Sequence, residues 1–486
     1  MESIFQQIAP LWQQFCHATL IITPELVDQI TPEALINLGV PLDQIRLFIS
    51  MFVSLPLAYI HYIVPSVMMK KLLSIIFGVL LLQFTFFEGW IHSIITSVIV
   101  YLQIRFFSKR HMQYTVFLFS ILYLAASHIY RMSVDYMGWK IDFTTYLMVF
   151  IIKFSSLGYN IYDGVCDKEN IDKNAKEDSR KGRMYKRRQD AYVTSIPSFF
   201  DFLAYVYHFP GFMTGPCIFY REYIDTIEGK TPQPQKKSSR IIASLQQNIL
   251  GIITLFSYLY LNSLYPQTDL VTDVTKDYSI LRYLWACEFR CIITRLKYHG
   301  IWKISESVCI LDGFGYEGKD EQGKDKWTGI SNSSILYTEL ASDFSTLTRN
   351  WNIRTQKWLQ MYTYERTNNS LLCLYTVSAF WHGFYPGYYI FFLTLAVAQY
   401  VSRIHKKKMY PLYQKNKYTQ LLYDILSVPF TEFIVSYYAS AFFLLSVDNA
   451  LILFQRIHYL SYIVLVICLV VYSILPSPKQ EKPKSQ

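Results

Sequence analysis

Residues 371–402 run without a single Asp, Glu, Lys or Arg. At about 1.5 Å per helical residue, such a run exceeds a hydrocarbon core of about 30 Å. It must tilt strongly or break. Pro386 and Gly387 offer the break, because proline removes a backbone donor and glycine tolerates unusual dihedrals. The one side chain in the run that ionises readily near neutral pH is His382, which falls roughly half-way into the bilayer when counted from Leu371. Freed backbone groups at that depth are tolerated only inside protein or along a wet cavity. An imidazole beside a helix break therefore points to a cavity; the alternative is a core histidine hydrogen-bonded to a neighbouring helix.

The rest of the chain is built in keeping with that run. Of 486 residues, 52% are hydrophobic and only 17% charged, which excludes an ordinary soluble enzyme and indicates a polytopic membrane protein. No basic cluster precedes an apolar core in the first twenty residues, so no cleavable signal peptide is expected. Eight cysteines are scattered singly, without a Cys-x-x-Cys pair, which excludes a disulfide framework and a cysteine zinc site. The net charge of +10 sits in loops between apolar runs. It reads as orientation by the positive-inside rule and attraction to anionic lipid heads, with no nucleic-acid partner.

Taken in order, residues 1–44 form a leader with helix-start signals at Thr23-Pro24-Glu25 and Thr31-Pro32-Glu33. Apolar runs follow near 47–64, 72–87, 90–106, 114–130 and 143–157. Basic clusters at Lys70-Lys71, at Arg105 with Lys109-Arg110, and across 168–188 are each separated by two runs, so all fall on one side, taken as cytosolic. The charged loop 166–190 reads as flexible or disordered. Residues 199–223, aromatic-rich and cut by Pro210, Gly211, Gly215 and Pro216, read as a re-entrant or interfacial segment. Runs resume at 249–265, from about 280, through 371–402, and near 433–454 and 459–475. The fold expected is all-α: a polytopic transmembrane helical protein of about nine to eleven spans, with re-entrant segments around a central cavity. The basic tail, 477–486, belongs in the cytosol, and Lys482 and Lys484 stand where an endoplasmic reticulum retrieval signal has its lysines; a merely solvated tail is the rival reading. Asn332 and Asn368 match a glycosylation pattern, read as chance matches.

Trp381-His382-Gly383-Phe384-Tyr385-Pro386-Gly387-Tyr388-Tyr389 resembles the histidine motif of the membrane-bound O-acyltransferases, in their lysophospholipid acyltransferase branch. Asn352, within Trp351-Asn352-Ile353-Arg354-Thr355 and 30 residues ahead of His382, is similar to that family's asparagine motif. Tyr364-Glu365-Arg366, Lys153-Phe154-Ser155-Ser156-Leu157 through Tyr162-Asp163-Gly164, Trp327 to Asn332, and Gly215-Pro216-Cys217 through Tyr223 also resemble stretches of the branch. The likeness spans nearly the whole chain and implies an O-acyltransferase domain over 45–476, multi-helix, with His and Asn facing a catalytic cavity.

The reaction the resemblance implies moves a fatty acyl group from acyl-CoA, a co-substrate rather than a resident cofactor, to the free hydroxyl, sn-2, of a lysophospholipid. A hydroxyl needs a base; neutral imidazole, with an unperturbed pKa near about 6.5, suits that task, so His382 is expected to be the general base. Attack on the thioester develops an oxyanion, which the Asn352 amide could stabilise; it could equally orient the substrate or His382, or be a helix cap. No metal is required, and no ligand set at metal spacing is visible in the sequence. Arg354, Lys357 and Arg221 are candidates for the coenzyme phosphates, or else lipid-facing cations. Trp351, Trp358, Trp381 and Tyr388 are candidates for the acyl-chain and substrate walls, with an interfacial aromatic belt as the rival for the tryptophans. Asp163 is expected to be the structural partner of a nearby cation. Competing readings are a protein or sterol acyltransferase of the same family and a membrane transporter, against which stand the scarce intramembrane charge and the absence of visible repeats. An endoplasmic reticulum location with many passes and a cytosolic C-terminus completes the expectation. Head group, acyl preference and oligomeric state are not legible.

Overall fold

The computed structural model describes residues 14–30 and 40–475. Among them the regular structure is helical, apart from one isolated bridge between Lys319 and Asp325, in agreement with the all-α expectation. The Thr31 start signal and Lys482 and Lys484 lie outside the described residues; the earlier signal produces the helix Pro24–Ile30 with Glu25 in its first turn.

Among the described residues, five helical stretches are long and apolar enough to cross a membrane: Leu42–Ile63, Val67–Phe106, Met112–Val134, Lys237–Val271 and Lys417–Leu444. The pair Val447–Gln455 and Leu460–Ile474, bent by 80°, makes a sixth if it is one span. The protein is thus an integral, polytopic membrane protein, with fewer clear spans than the nine to eleven expected. Val67–Phe106 continues for 40 residues through a single 3-10 turn at Phe87–Trp90, where the sequence shows two runs. The 22-residue helix Thr144–Val165 carries Lys153 and Asp163 and is buried in protein along most of its length. The uncharged run 371–402 breaks into Leu371–His382 and the start of Pro386–Lys408.

The chain divides into two compact units. One comprises residues 1–253, 300–332 and 357–366; the other comprises 254–299, 333–356 and 367–486.

In the first unit, Thr144–Val165 is the central helix. Its serines turn inward without orphaned hydroxyls, because Ser155 and Ser156 donate to the carbonyls of Ile151 and Ile152, both at 2.6 Å. A Cβ on Gly164 would stand 2.3 Å from the Val193 carbonyl oxygen, so only glycine permits that approach. Lys153, 1% exposed, donates through Nζ to the carbonyls of Tyr205 (3.0 Å) and Val206 (3.1 Å), capping the carboxyl end of the short helix Phe199–Val206. Residues 207–219, between that helix and Tyr220–Ile227, are irregular yet almost wholly buried, as a re-entrant segment requires. Several of their backbone groups are met by protein: Trp302 Nε1 donates to the Thr214 carbonyl (3.1 Å), Tyr205 to that of Ile218 (3.3 Å), and Gly215 N–H to Gly211 (2.8 Å).

The loop 166–190 departs from its expected flexibility. It forms the helices Lys168–Asn174 and Arg180–Ala191, the second started by Ser179, whose hydroxyl accepts from Gly182 N–H. Distant partners fix it. Arg188 reaches Asp163 Oδ1 and Asp167 Oδ2, both at 2.6 Å, and Arg187 pairs with the buried Glu365. Arg366 completes the cluster with a bidentate grip on Asp163 at 3.0 and 2.6 Å, so Asp163 serves two cations.

The second unit packs Leu371–His382, Pro386–Lys408, Lys417–Leu444 and the bent pair together. Its buried polar centre is Arg295, which donates to Glu339 (2.7 to 3.0 Å), Glu288 (3.0 Å) and Ser436 (2.9 Å). His299 joins through Nε2 to Glu339 (3.1 Å) and Nδ1 to Ser333 (2.9 Å).

Candidate functional site

The helix that opens at Leu371, capped by Ser370 Oγ accepting from Cys373 N–H, ends at His382. Gly383 follows at φ 127°, a conformation that disfavours any side chain, and Pro386 begins the next helix in its first turn. The break thus falls where the sequence places it, with Gly383 rather than Gly387 carrying the turn. Gly387 has a different duty. Its N–H donates to the Leu445 carbonyl at 2.8 Å, and a Cβ there would stand 2.2 Å from the Ala441 carbonyl oxygen. It lets the second half-helix lie against Lys417–Leu444.

His382 is half-buried among rings. Its imidazole stacks on Phe392 with centroids 5.2 Å apart and meets Phe442 edge-on at 5.1 Å. Trp381 lies at 4.8 Å and Tyr388 at 5.9 Å. Tyr388 in turn tilts onto Phe442 at 4.4 Å. Trp381 and Tyr388, both expected at the substrate wall, therefore do surround His382.

Asn352 lies in the same unit. It occupies the short link between the helices Phe344–Asn350 and Ile353–Tyr362, with φ 47°, and its carbonyl accepts the first helical hydrogen bond, from Gln356 N–H at 2.8 Å. A left-handed backbone at a residue other than glycine is uncommon, asparagine bears it best, and such strain collects at functional positions. Trp351 precedes this link and so does not belong to the helix Ile353–Tyr362. Trp351 packs instead on Tyr298 (5.7 Å) and His299 (5.4 Å). Since His299 is held by Ser333 and Glu339, the Arg295 network braces the approach to Asn352. Ser334 N–H (3.0 Å) and Thr338 Oγ1 (3.1 Å) both donate to the Asn350 carbonyl.

One side chain that the sequence reading missed connects the two motifs. Gln399, 5% exposed on Pro386–Lys408, accepts from the Tyr375 hydroxyl of the His382 helix at 2.9 Å and donates to Thr348 Oγ1 at 3.4 Å, just before the Asn352 link. Lys406 adds a second tie, 2.9 Å from Asp343, the N-cap of Phe344–Asn350. Burial pushes the Asp343 carboxyl up, but Lys406 and the Thr346 backbone hold it, on balance, below the usual carboxylate range. The signal for Gln399 would have been a lone amide in an uncharged run.

The remaining predicted residues separate. Arg354 is buried, 4% exposed, in the second unit. Lys357 and Arg221 belong to the first unit, where Lys357 pairs with Glu222 (2.9 Å) over the Phe219 ring, and Arg221 pairs with Asp225 (2.8 Å). Trp358 is fully buried there and donates to Ser155 Oγ at 2.9 Å, a core tie rather than a tunnel wall. Asn332 is 1% exposed, which excludes glycan attachment in this fold. A cleft of about 430 Å³ in the second unit, lined by residues such as Asp343, His405, Leu426 and Tyr438, includes neither His382 nor Asn352.

Comparison with known proteins brings the pattern into focus. Residues 129–447 match the family profile described as MBOAT, membrane-bound O-acyltransferase family. The chain is 29% identical over 433 residues to lysophospholipid acyltransferase 6 of Drosophila melanogaster, covering 85% of this chain but only 58% of that protein. It is 28% identical to lysophospholipid acyltransferase 1 of Arabidopsis thaliana, over 93% of this chain and 98% of the relative. Membrane-bound glycerophospholipid O-acyltransferase 1 of Mus musculus is 27% identical, with 92% of each covered.

Proposed function

Starting from the fact that the chain belongs to the membrane-bound O-acyltransferase family, we propose that it transfers a fatty acyl group from acyl-CoA to the free sn-2 hydroxyl of a lysophospholipid. The observation that carries this reading is the interrupted uncharged helix. It leaves a half-buried imidazole at a helix terminus among aromatic rings, in the same unit as a strained asparagine. The name of the Arabidopsis thaliana relative, lysophospholipid acyltransferase 1, matched over 98% of its length, supports a lysolipid acceptor.

In this mechanism His382 takes the proton from the lipid hydroxyl as that oxygen attacks the thioester carbonyl, a step typically worth about 10²- to 10⁴-fold. The Asn352 amide donates to the developing oxyanion, typically worth about 10²- to 10³-fold. The coenzyme thiolate then leaves without needing a strong acid. Gln399 positions the two motifs relative to each other and touches neither reacting group. Trp381, Tyr388, Phe392 and Phe442 exclude water from the base. The enzyme works in the endoplasmic reticulum membrane with its C-terminus in the cytosol, where acyl-CoA is made available.

The test is a microsomal assay with labelled acyl-CoA against lysophospholipids bearing choline, ethanolamine, serine and inositol heads. Transfer to at least one, abolished by His382→Ala at equal protein level, is expected. Label reaching only protein or sterol would overturn the lysolipid acceptor, and wild-type turnover in His382→Ala would overturn the base.

A further inference from the structure

Three buried groups of the first unit converge although they are far apart in the chain: His61 near the end of Leu42–Ile63, His208 at the start of the irregular segment 207–219, and Asp312 just past the end of Ile280–Leu311. Their exposures are 1%, 0% and 3%. One potential ligand atom from each lies within 4.8 Å of the other two.

The hydrogen bonds around them are arranged in a particular sense. His61 Nε2 is 3.0 Å from the Lys70 carbonyl oxygen, which only accepts, so that nitrogen carries the hydrogen. His61 Nδ1 then presents its lone pair 2.6 Å from Asp312 Oδ1. Two acceptors do not approach so closely unless a proton or a cation stands between them. On the other side His208 Nδ1 meets Ser74 Oγ at 3.2 Å, while Nε2 faces Asp312 Oδ2 at 3.3 Å. Neither His208 Nε2 nor Asp312 Oδ2 has a hydrogen-bond partner, and both are buried. The neighbouring Tyr223 sets its ring 4.9 Å from that of His208.

We propose that His61, His208 and Asp312 bind one divalent transition-metal ion of the zinc class. A single shared proton between His61 and Asp312 would serve that contact alone and leave Oδ2 and His208 Nε2 with only their 3.3 Å approach to each other, which lacks hydrogen-bond geometry. One cation serves all three. Each imidazole turns one nitrogen towards the carboxylate and engages the other with a carbonyl or hydroxyl, the outer arrangement that orients metal-bound histidines. Bonds of about 2.0–2.1 Å set tetrahedral ligand atoms about 3.3 Å apart, which is the His208–Asp312 separation; His61 and Asp312 open by a few tenths of an ångström on binding. Two nitrogens and a carboxylate oxygen suit zinc and its first-row neighbours rather than calcium or magnesium, and leave a fourth position for water. Gly313 at φ 105° bends the chain immediately after Asp312 and so directs the carboxylate inward. The ion would fasten the irregular segment 207–219 to two long helices.

The full chain, purified in detergent without chelator or metal-affinity resin, is assayed for metal by mass spectrometry. About one zinc-class ion per chain is expected, falling at least about tenfold in Asp312→Asn and in His208→Ala. Because those variants can fail to fold, the wild-type protein is also stripped with chelator and titrated with Co²⁺; visible absorption of tetrahedral intensity saturating at about one equivalent is expected. Wild-type protein that carries no metal and takes up no stoichiometric Co²⁺ overturns the proposal in favour of a shared proton, and undiminished metal in both variants overturns the choice of ligands.

Discussion

Histidine is sunk into both units, in opposite company. His382 has four aromatic rings about it and stands at the end of an interrupted helix. His61 and His208 have Asp312, Ser74 and the Lys70 carbonyl about them and stand where three segments meet. Rings about an imidazole exclude water from it, as a site of proton transfer requires. Carboxylate, hydroxyl and carbonyl groups engage such nitrogens or face them at ion-pair distance, so the imidazole becomes a fastening. The two sets of neighbours suit different tasks, rings keeping water out and polar groups holding on.

That contrast predicts that variants of the second-unit motifs show in turnover and variants of first-unit polar clusters show in stability. The largest effect is expected from His382→Ala, a loss of about 10²- to 10⁴-fold in turnover with the detergent melting temperature nearly unchanged. A large drop in melting temperature with turnover per folded molecule preserved would reverse the assignment. Asn352→Ala is expected to cost about 10²- to 10³-fold in kcat; its left-handed backbone makes a small gain or loss of stability incidental. In the first unit, Asp163→Asn leaves Arg188 and Arg366 without their carboxylate, and removing one partner of a buried pair costs about 3–5 kcal/mol of stability. Circular dichroism melts should record it while kcat of the surviving fold holds. Gly387→Ala forces a Cβ towards the Ala441 carbonyl and should cost about 1–3 kcal/mol, with some loss of turnover because Tyr388 shifts next to His382. The smallest effects belong to Lys357→Ala and Arg221→Ala. Both leave half-exposed ion pairs worth about 0–1 kcal/mol, so KM for acyl-CoA should rise no more than about fivefold, and less at high salt.

The features legible in the sequence are those written within one stretch. The broken run at 382–387 was visible because proline and glycine interrupt an uncharged helix. Asp163 was singled out as a cation's partner by its place in the Tyr162-Asp163-Gly164 stretch, just past the apolar run 143–157. What escaped depends on partners far along the chain. Residues 166–190 look like a solvated loop until Arg187 and Arg188 find Glu365 and Asp163. Gly387 looks like a helix breaker until Ala441 lies against it. His61 and Asp312, 251 positions apart, show no metal spacing at all. Fewer described helices pass as clear spans than the nine to eleven expected, because stretches such as Thr144–Val165 carry polar side chains, Lys153 and Asp163 among them, whose partners lie far along the chain.

That central helix also bears on how the molecule is made. Lys153 is its tenth residue, and an ammonium at the middle of a greasy helix costs about 2.5–3.5 kcal/mol to insert. The carbonyls that receive it, on Tyr205 and Val206, leave the ribosome some fifty residues later. Until then the charge has no resting place, so this half of the protein is finished only when the re-entrant stretch doubles back upon a helix already waiting for it.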